Sequence, residues 1–196
     1  MNFPDTHLVL VSDQPVPSLL PLLDARMGAR KAILVATPTR QEPAHWLAEA
    51  LRAQKLEVEI IALNEPYDFP RLHSIFRAQI HLHPEGIAAN ISGGNKLMSI
   101  AAYEGCKAAE QPVYYINIES DAVQWLYPEG QPNHPLQASL RLENYLLSCG
   151  VKVLEISRDE VDGKEFALAT AIQQAEATTI CSDSLLGISR GSAIPD

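Results

Sequence analysis

Asn90-Ile91-Ser92-Gly93-Gly94-Asn95-Lys96-Leu97-Met98 joins an apolar run, Gly86-Ile87-Ala88-Ala89, to a helix-like run over residues 97–109. The apolar run reads as a buried strand, so the glycine pair is predicted at a strand-to-helix junction. Such a junction makes an anion site: glycine lets the backbone approach a ligand, the amides of the first helical turn point outward, and the helix dipole adds to them. Ser92, Asn95 and Lys96 supply a hydroxyl, an amide and a cation at the same place. The spacing is neither a Walker A motif nor the GxGxxG dinucleotide fingerprint. The expectation is a pocket for a phosphate-bearing ligand, against the plain alternative that the glycines only tighten a turn.

Upstream of this stretch the chain alternates between apolar runs and helical spacing. Residues 7–11 read as a first strand, ending at Ser12-Asp13-Gln14-Pro15 and followed by a helix carrying Val16, Leu19, Leu20, Leu22 and Leu23. Residues 31–36 read as a second strand, then a loop Thr37-Pro38-Thr39 and a helix over about 43–54; residues 57–63 make a third strand. A helix over residues 68–79 has Asp68 as N-cap and Pro70 in its first turn. Downstream, residues 113–118 read as a fifth strand, with a sixth at 122–127 paired through the turn Glu119-Ser120-Asp121. The helix after the glycines is apolar around much of its circumference, which predicts burial on more than one side.

Strands alternating with helices imply a Rossmann-like α/β fold, a mostly parallel sheet with right-handed crossovers and helices on both faces. In the order 3-2-1-4-5 the first and fourth strands are neighbours at the topological switch point, where open α/β sheets bind ligands. The Ser12-Asp13-Gln14 and Ser92–Lys96 loops then face one crevice. Residues 1–135 are expected to form this domain. Residues 136–196 read as a C-terminal extension: a helix over 136–149 ended by Gly150, a strand over 151–156 and a helix over 164–177. The extension is either an appendage on the first domain or the start of an effector domain that continues beyond residue 196.

A net charge of −9 argues against a broad duplex nucleic-acid surface, so an anionic ligand must be met locally. Three cysteines without CxxC spacing suit reduced thiols, and no run approaches the length of a membrane span, so the expectation is a soluble, cytoplasmic protein without metal or cofactor. His81-x-His83, on one face of a strand or in a loop, supplies only two metal ligands and reads as ordinary surface. Trp46 and Trp125 read as core or interface fillers, and Asp162-Gly163-Lys164-Glu165 as a solvated helix start.

The stretch 90–98, with Ala101-Ala102-Tyr103-Glu104 after it and Val11-Ser12-Asp13-Gln14-Pro15 on the first strand, resembles the CRISPR-associated Rossmann-fold (CARF) sensor domain, in the branch found in ancillary nucleases of type III CRISPR systems. That family typically reads Asn-x-Thr-Gly-Gly-Thr-Lys; here Ser92 and Asn95 stand at the two Thr positions. The resemblance covers roughly residues 5–130. It implies a homodimer that binds a cyclic oligoadenylate, most often the tetra-adenylate ring, on its two-fold axis in antiviral defence. By position it assigns Ser92, Gly93, Gly94, Asn95 and Lys96 to the ligand's phosphates and riboses, with Asn90 a further ligand-binding candidate. Ser12, Asp13 and Gln14 fall on the pocket wall against an adenine, with Thr37 and Thr39 as outer candidates. A two-fold ring is matched by a C2 dimer that presents each donor twice, the apolar motif helix supplying the contact. Three readings stay open: a sensor for an attached effector, a metal-independent ring nuclease using Lys96, Asn95 and Ser12, and a Rossmann-like domain for an ordinary mononucleotide.

Overall fold

The computed structural model describes residues 3–152. They belong to a compact unit, Met1–Val153, and residues 154–196 fall in a second. The strand expected over 151–156 has only its first two residues described, and they carry no regular structure. The helix expected over 164–177 and the Asp162–Glu165 stretch lie outside the described residues.

Among the described residues fourteen segments follow one another in chain order. They are β1 (Thr6–Leu10), α1 (Val16–Leu23), a short 3-10 turn (Ala25–Met27), β2 (Lys31–Ala36), a second 3-10 turn (Pro38–Arg40), α2 (Gln41–Ala53), β3 (Glu57–Ala62), α3 (Phe69–Leu82), β4 (Ala88–Asn90), α4 (Lys96–Ala108), β5 (Val113–Asn117), β6 (Ala122–Tyr127), β7 (His134–Pro135) and α5 (Leu142–Ser148). The strands form one sheet in the order β3-β2-β1-β4-β5-β6-β7. β1 to β5 pair in parallel, and β6 and β7 add antiparallel at one edge. This is the predicted Rossmann-like α/β order, with β1 and β4 adjacent.

The two-residue period of the strands sorts the core into two layers. Leu8, Leu10, Ile33 and Val35 face Leu72, Phe76 and Ile80 of α3 and Met98, Ala101, Ala102 and Cys106 of α4. Val9, Val11, Ala32, Leu34 and Ala36 face Leu19 and Leu22 of α1 and Ala44, Leu47, Ala48 and Leu51 of α2. Each large side chain so buried contributes roughly 1.5–3 kcal/mol relative to exposure. β3 departs from burial on both faces: as the sheet edge it exposes Glu57 and Glu59, which pair with Lys31 Nζ at 3.6 and 3.4 Å. Trp125 is core, stacked on Phe3 with ring centroids 4.5 Å apart.

Three expectations are corrected. The helix expected over 136–149 starts only at Leu142, because the amides before it are drawn to tertiary acceptors: Leu136 N–H to the Asp121 carbonyl at 2.6 Å and Gln137 N–H to Asp24 Oδ2 at 2.7 Å. His134 and Pro135 instead pair with Val123 and Ala122 as an added strand. His81 is not on a strand; it lies in the last turn of α3 with His83 at its C-cap. The motif helix α4 buries one side, and Ile100 opposite is 47% exposed.

Asp24 is the clasp for the segment between β7 and α5. Its buried carboxylate also accepts from Arg26 N–H at 3.0 Å and Nε at 3.1 Å, and from Arg26 Nη2 at 2.9 Å, while that guanidinium donates to the Pro135 carbonyl. Burial works to raise the Asp24 pKa, but the hydrogen bonds from Arg26 and the Gln137 amide prevail and hold it down to about 2.

His7, fully buried on β1, bridges two elements through Met27 O at 3.2 Å from Nε2 and Tyr114 Oη at 2.8 Å from Nδ1. A carbonyl can only accept, so Nε2 carries the proton and Nδ1 accepts the tyrosine hydroxyl. Burial lowers the His7 pKa to about 4. The unfolded chain, titrating near 6.5, then binds a proton that the folded chain refuses, so stability falls as pH drops from about 6.5 to about 4, by at most about 3 kcal/mol. Denaturant titrations across that window should show this slope, and His7→Gln should flatten it; an equal slope in the variant would remove His7 from the account.

Candidate functional site

Parallel pairing sets the carboxyl ends of β1 and β4 side by side, and the glycine pair seats the loop after β4 on the end of β1. A Cβ on Gly93 would stand 2.0 Å from the Leu10 carbonyl oxygen and 3.2 Å from Ser12 Cβ, so only glycine allows the β4–α4 loop to lie against the end of β1. Gly94 turns the chain at φ 71° and its N–H donates to Val11 O at 3.3 Å. The Ser12-Asp13-Gln14 loop and the Ser92–Lys96 loop are therefore side by side at the switch point, as the strand order predicts.

The polar side chains divide into those that build the loop and those that open on solvent. Asn90 is 1% exposed; its Nδ2 donates to Pro17 O at 2.8 Å, and its Oδ1 accepts from Ser92 N–H at 3.0 Å and Ser92 Oγ at 2.6 Å. Ser92 Oγ in turn accepts from Ile116 N–H at 2.8 Å, tying β4 to β5. Asn95 caps α4, its Oδ1 accepting from Met98 N–H at 2.9 Å, while its Nδ2 donates to Pro66 O at 2.8 Å. These three side chains fix the loop from behind.

Lys96 is exposed at the first position of α4 and, among the described residues, carries no salt bridge. The Lys96 and Leu97 amides belong to the first helical turn, which has no intrahelical acceptors. With the dipole of a thirteen-residue helix behind them, these groups form a cationic, donor-rich point. Across from it, Ser12 Oγ donates to Gln14 O at 3.2 Å, and Asp13 and Gln14 are exposed. Thr37 and Thr39 approach each other at 3.3 Å between hydroxyl oxygens on the β2–α2 loop.

One residue that the motif reading passed over stands between these loops. Arg40 Nη2 donates to Asp13 Oδ2 at 2.6 Å, and Arg40 Nη1 donates to Thr39 O at 3.1 Å. The signal for it lay in the strand order: with β1 beside β2, a cation directly after Thr39 falls next to the Ser12–Gln14 loop.

A cavity of about 550 Å³ opens away from this crevice, at the C-terminal ends of α1 and α2, lined by Leu22, Arg26, Gln54, Gln137, Arg141 and Asn144 among others. It lies behind the Asp24 clasp and shares no residue with the switch-point loops. Among the described residues no group of three or more His, Cys, Asp or Glu side chains is placed to hold a metal ion, and no helix is long and apolar enough to cross a membrane.

With this geometry in view, a family model described as the Card1 CARF domain matches residues 6–145. The chain belongs to the Card1 CARF domain family. Solved structures agree in fold. Protein VC1899 from Vibrio cholerae superposes with a TM-score of 0.68 at 23% identity, over 73% of this chain and 38% of that one. Can2 from Sulfobacillus thermosulfidooxidans, in complex with cyclic tetra-adenylate, gives 0.66 at 23% identity, over 74% and 39%. A type III CRISPR defence DNA nuclease activated by cyclic oligoadenylate gives 0.67 at 21% identity, over 100% and 31%. The chain thus spans less than two-fifths of the length of each of these proteins. No curated protein matches it.

The Gly93 contact makes the CARF loop geometry testable. Gly93→Ala should cost at least about 2 kcal/mol in urea denaturation, because a methyl cannot share space with the Leu10 carbonyl and the loop must leave β1. A variant within about 0.5 kcal/mol of the parent would mean that the loop relaxes freely and the close approach is not a constraint.

Proposed function

We propose that this CARF domain is a sensor of a cyclic oligoadenylate, the tetra-adenylate ring, bound at the switch-point crevice by two copies of the chain. The observation that carries the reading is the glycine-bounded N-terminus of α4, with Lys96 exposed beside the free first-turn amides and opposite the Ser12–Gln14 loop. A cyclic oligoadenylate presents phosphates for these donors and purine edges for a polar wall. Binding of cyclic tetra-adenylate by Can2, of the same fold, supports the ligand class.

The dimer rests on α4. Ile100 is 47% exposed on the side away from the core, with Leu97 and Tyr103 half-buried near it, an apolar strip that a second copy would cover. A two-fold arrangement sets one Lys96 from each protomer around a ring of matching symmetry. Ile100→Asp should shift the sedimenting species toward monomer and weaken ligand binding together; a variant that stays dimeric would place the interface elsewhere.

Holding the ring is better supported than cutting it. Of the residues that ring opening would call on, Asn95 has both ends of its amide committed to the fold and Ser12 Oγ is bonded to its own loop, leaving Lys96 as the one uncommitted group. Calorimetry with cyclic tetra-adenylate should show binding that Lys96→Ala weakens by about tenfold or more, equivalent to about 1.4 kcal/mol. No heat with the parent protein, or an unaffected variant, would sink the assignment. Chromatography after long incubation should return an intact ring; linear oligoadenylate products would instead make the domain a ring nuclease.

A further inference from the structure

We infer that Arg40 is a positioning residue of the crevice, present to neutralise Asp13 so that a polyanion can enter a pocket whose wall carries a carboxylate. This rests on the ligand reading given above and extends it to a residue outside both sequence motifs.

Asp13 stands two positions after Val11, whose carbonyl accepts the Gly94 N–H at 3.3 Å, so its charge is carried on the loop adjoining the anion-binding turn. Its side chain is 68% exposed, and among the described residues Arg40 is its one salt-bridge partner. Left bare, that carboxylate would oppose each incoming phosphate, and a two-fold site would contain two of them. The Arg40 guanidinium meets Asp13 Oδ2 at 2.6 Å and is braced from the other side by the Thr39 carbonyl at 3.1 Å. Its backbone is fixed as well, since Arg40 N–H donates to Thr37 O at 2.9 Å and closes the 3-10 turn. The cation is thus aimed from the β2–α2 loop at one target on the β1–α1 loop.

Magnitude argues against a stability role. An exposed ion pair adds little to folding, because solvent screens it and two long side chains must be ordered to make it. Beside a ligand with several phosphates the same pair matters more, since removing the cation leaves an uncompensated negative charge at the wall. Arg40 therefore acts through Asp13 and need not touch the ligand.

The test is a double-mutant cycle read by affinity for cyclic tetra-adenylate, with thermal melts to confirm that each variant folds. Arg40→Gln should weaken binding by about tenfold, and the deficit should shrink as salt rises from about 0.05 M to about 0.5 M. Whatever Asp13→Asn costs by itself as a wall residue, adding Arg40→Gln to it should weaken binding by no more than about threefold further, because the charge that needed neutralising has gone. If Arg40→Gln costs as much on the Asp13→Asn background as on the parent, Arg40 contacts the ligand directly and the inference is overturned; it is equally overturned if Arg40→Gln binds like the parent. A parent protein that does not bind the ring overturns the ligand reading and this inference with it, a result distinct from either.

Discussion

The approach of Gly93 to the Leu10 carbonyl is the contact on which the site depends. It is a backbone-to-backbone contact, with no room for even a methyl group, and it joins strands separated by some eighty residues of sequence. Parallel pairing of β1 with β4 brings their carboxyl ends level, but pairing alone leaves the following loops free to splay. Seating the glycine on the end of β1, with Gly94 N–H bonded to Val11 O, fixes the start of α4 relative to the Ser12–Gln14 loop. The dipole and free amides of α4 acquire a defined direction only because of that seating.

The polar residues around this contact act as a frame. Asn90, Ser92 and Asn95 together make hydrogen bonds to Pro17, Ile116, Pro66 and Met98, reaching α1, β5, the β3–α3 loop and the first turn of α4. Buried amides and hydroxyls are costly when unpaired, so a network this well satisfied resists rearrangement. A ligand then meets a loop whose shape is already set, and less binding energy is lost to ordering it. The hydroxyl of Ser92 illustrates the point. The motif comparison equates it with a ligand-facing threonine, yet here it bridges Asn90 to Ile116.

The fold was legible because its determinants are local and periodic. Apolar runs at residues 7–11 and 31–36, helical spacing in the segments between, and Asp68 as a cap each follow from a few neighbouring side chains, and the structure keeps them, with Asp68 accepting from Arg71 N–H at 3.1 Å. What was not legible depends on partners distant in sequence. No pattern near residue 136 reveals that Asp24 claims the Gln137 amide, so the helix start was read six residues early. Neither does Asn90 disclose that its amide is bonded to Pro17. At the site, glycine spacing placed the strand-to-helix turn that seats α4 against the end of β1, with Lys96 at its first position. Arg40 needed the topology as well, because its relation to Asp13 exists only once β1 and β2 are neighbours.

How an acidic domain could hold the polyanion proposed for it is a question of distance. With a net charge of −9 the far field of the chain repels phosphates, but at physiological salt that field decays over about 8 Å. Within such a radius the local arrangement prevails: helix amides, Lys96, and an Asp13 whose charge is met by Arg40. The acidic remainder then has a use. On the proposed ligand reading it would disfavour long nucleic acids, whose phosphates would extend past the crevice into the repulsive field, while a compact ring would stay close to the local donors. Selection of a small cyclic anion over a polymer can thus follow from charge distribution, before any base is read.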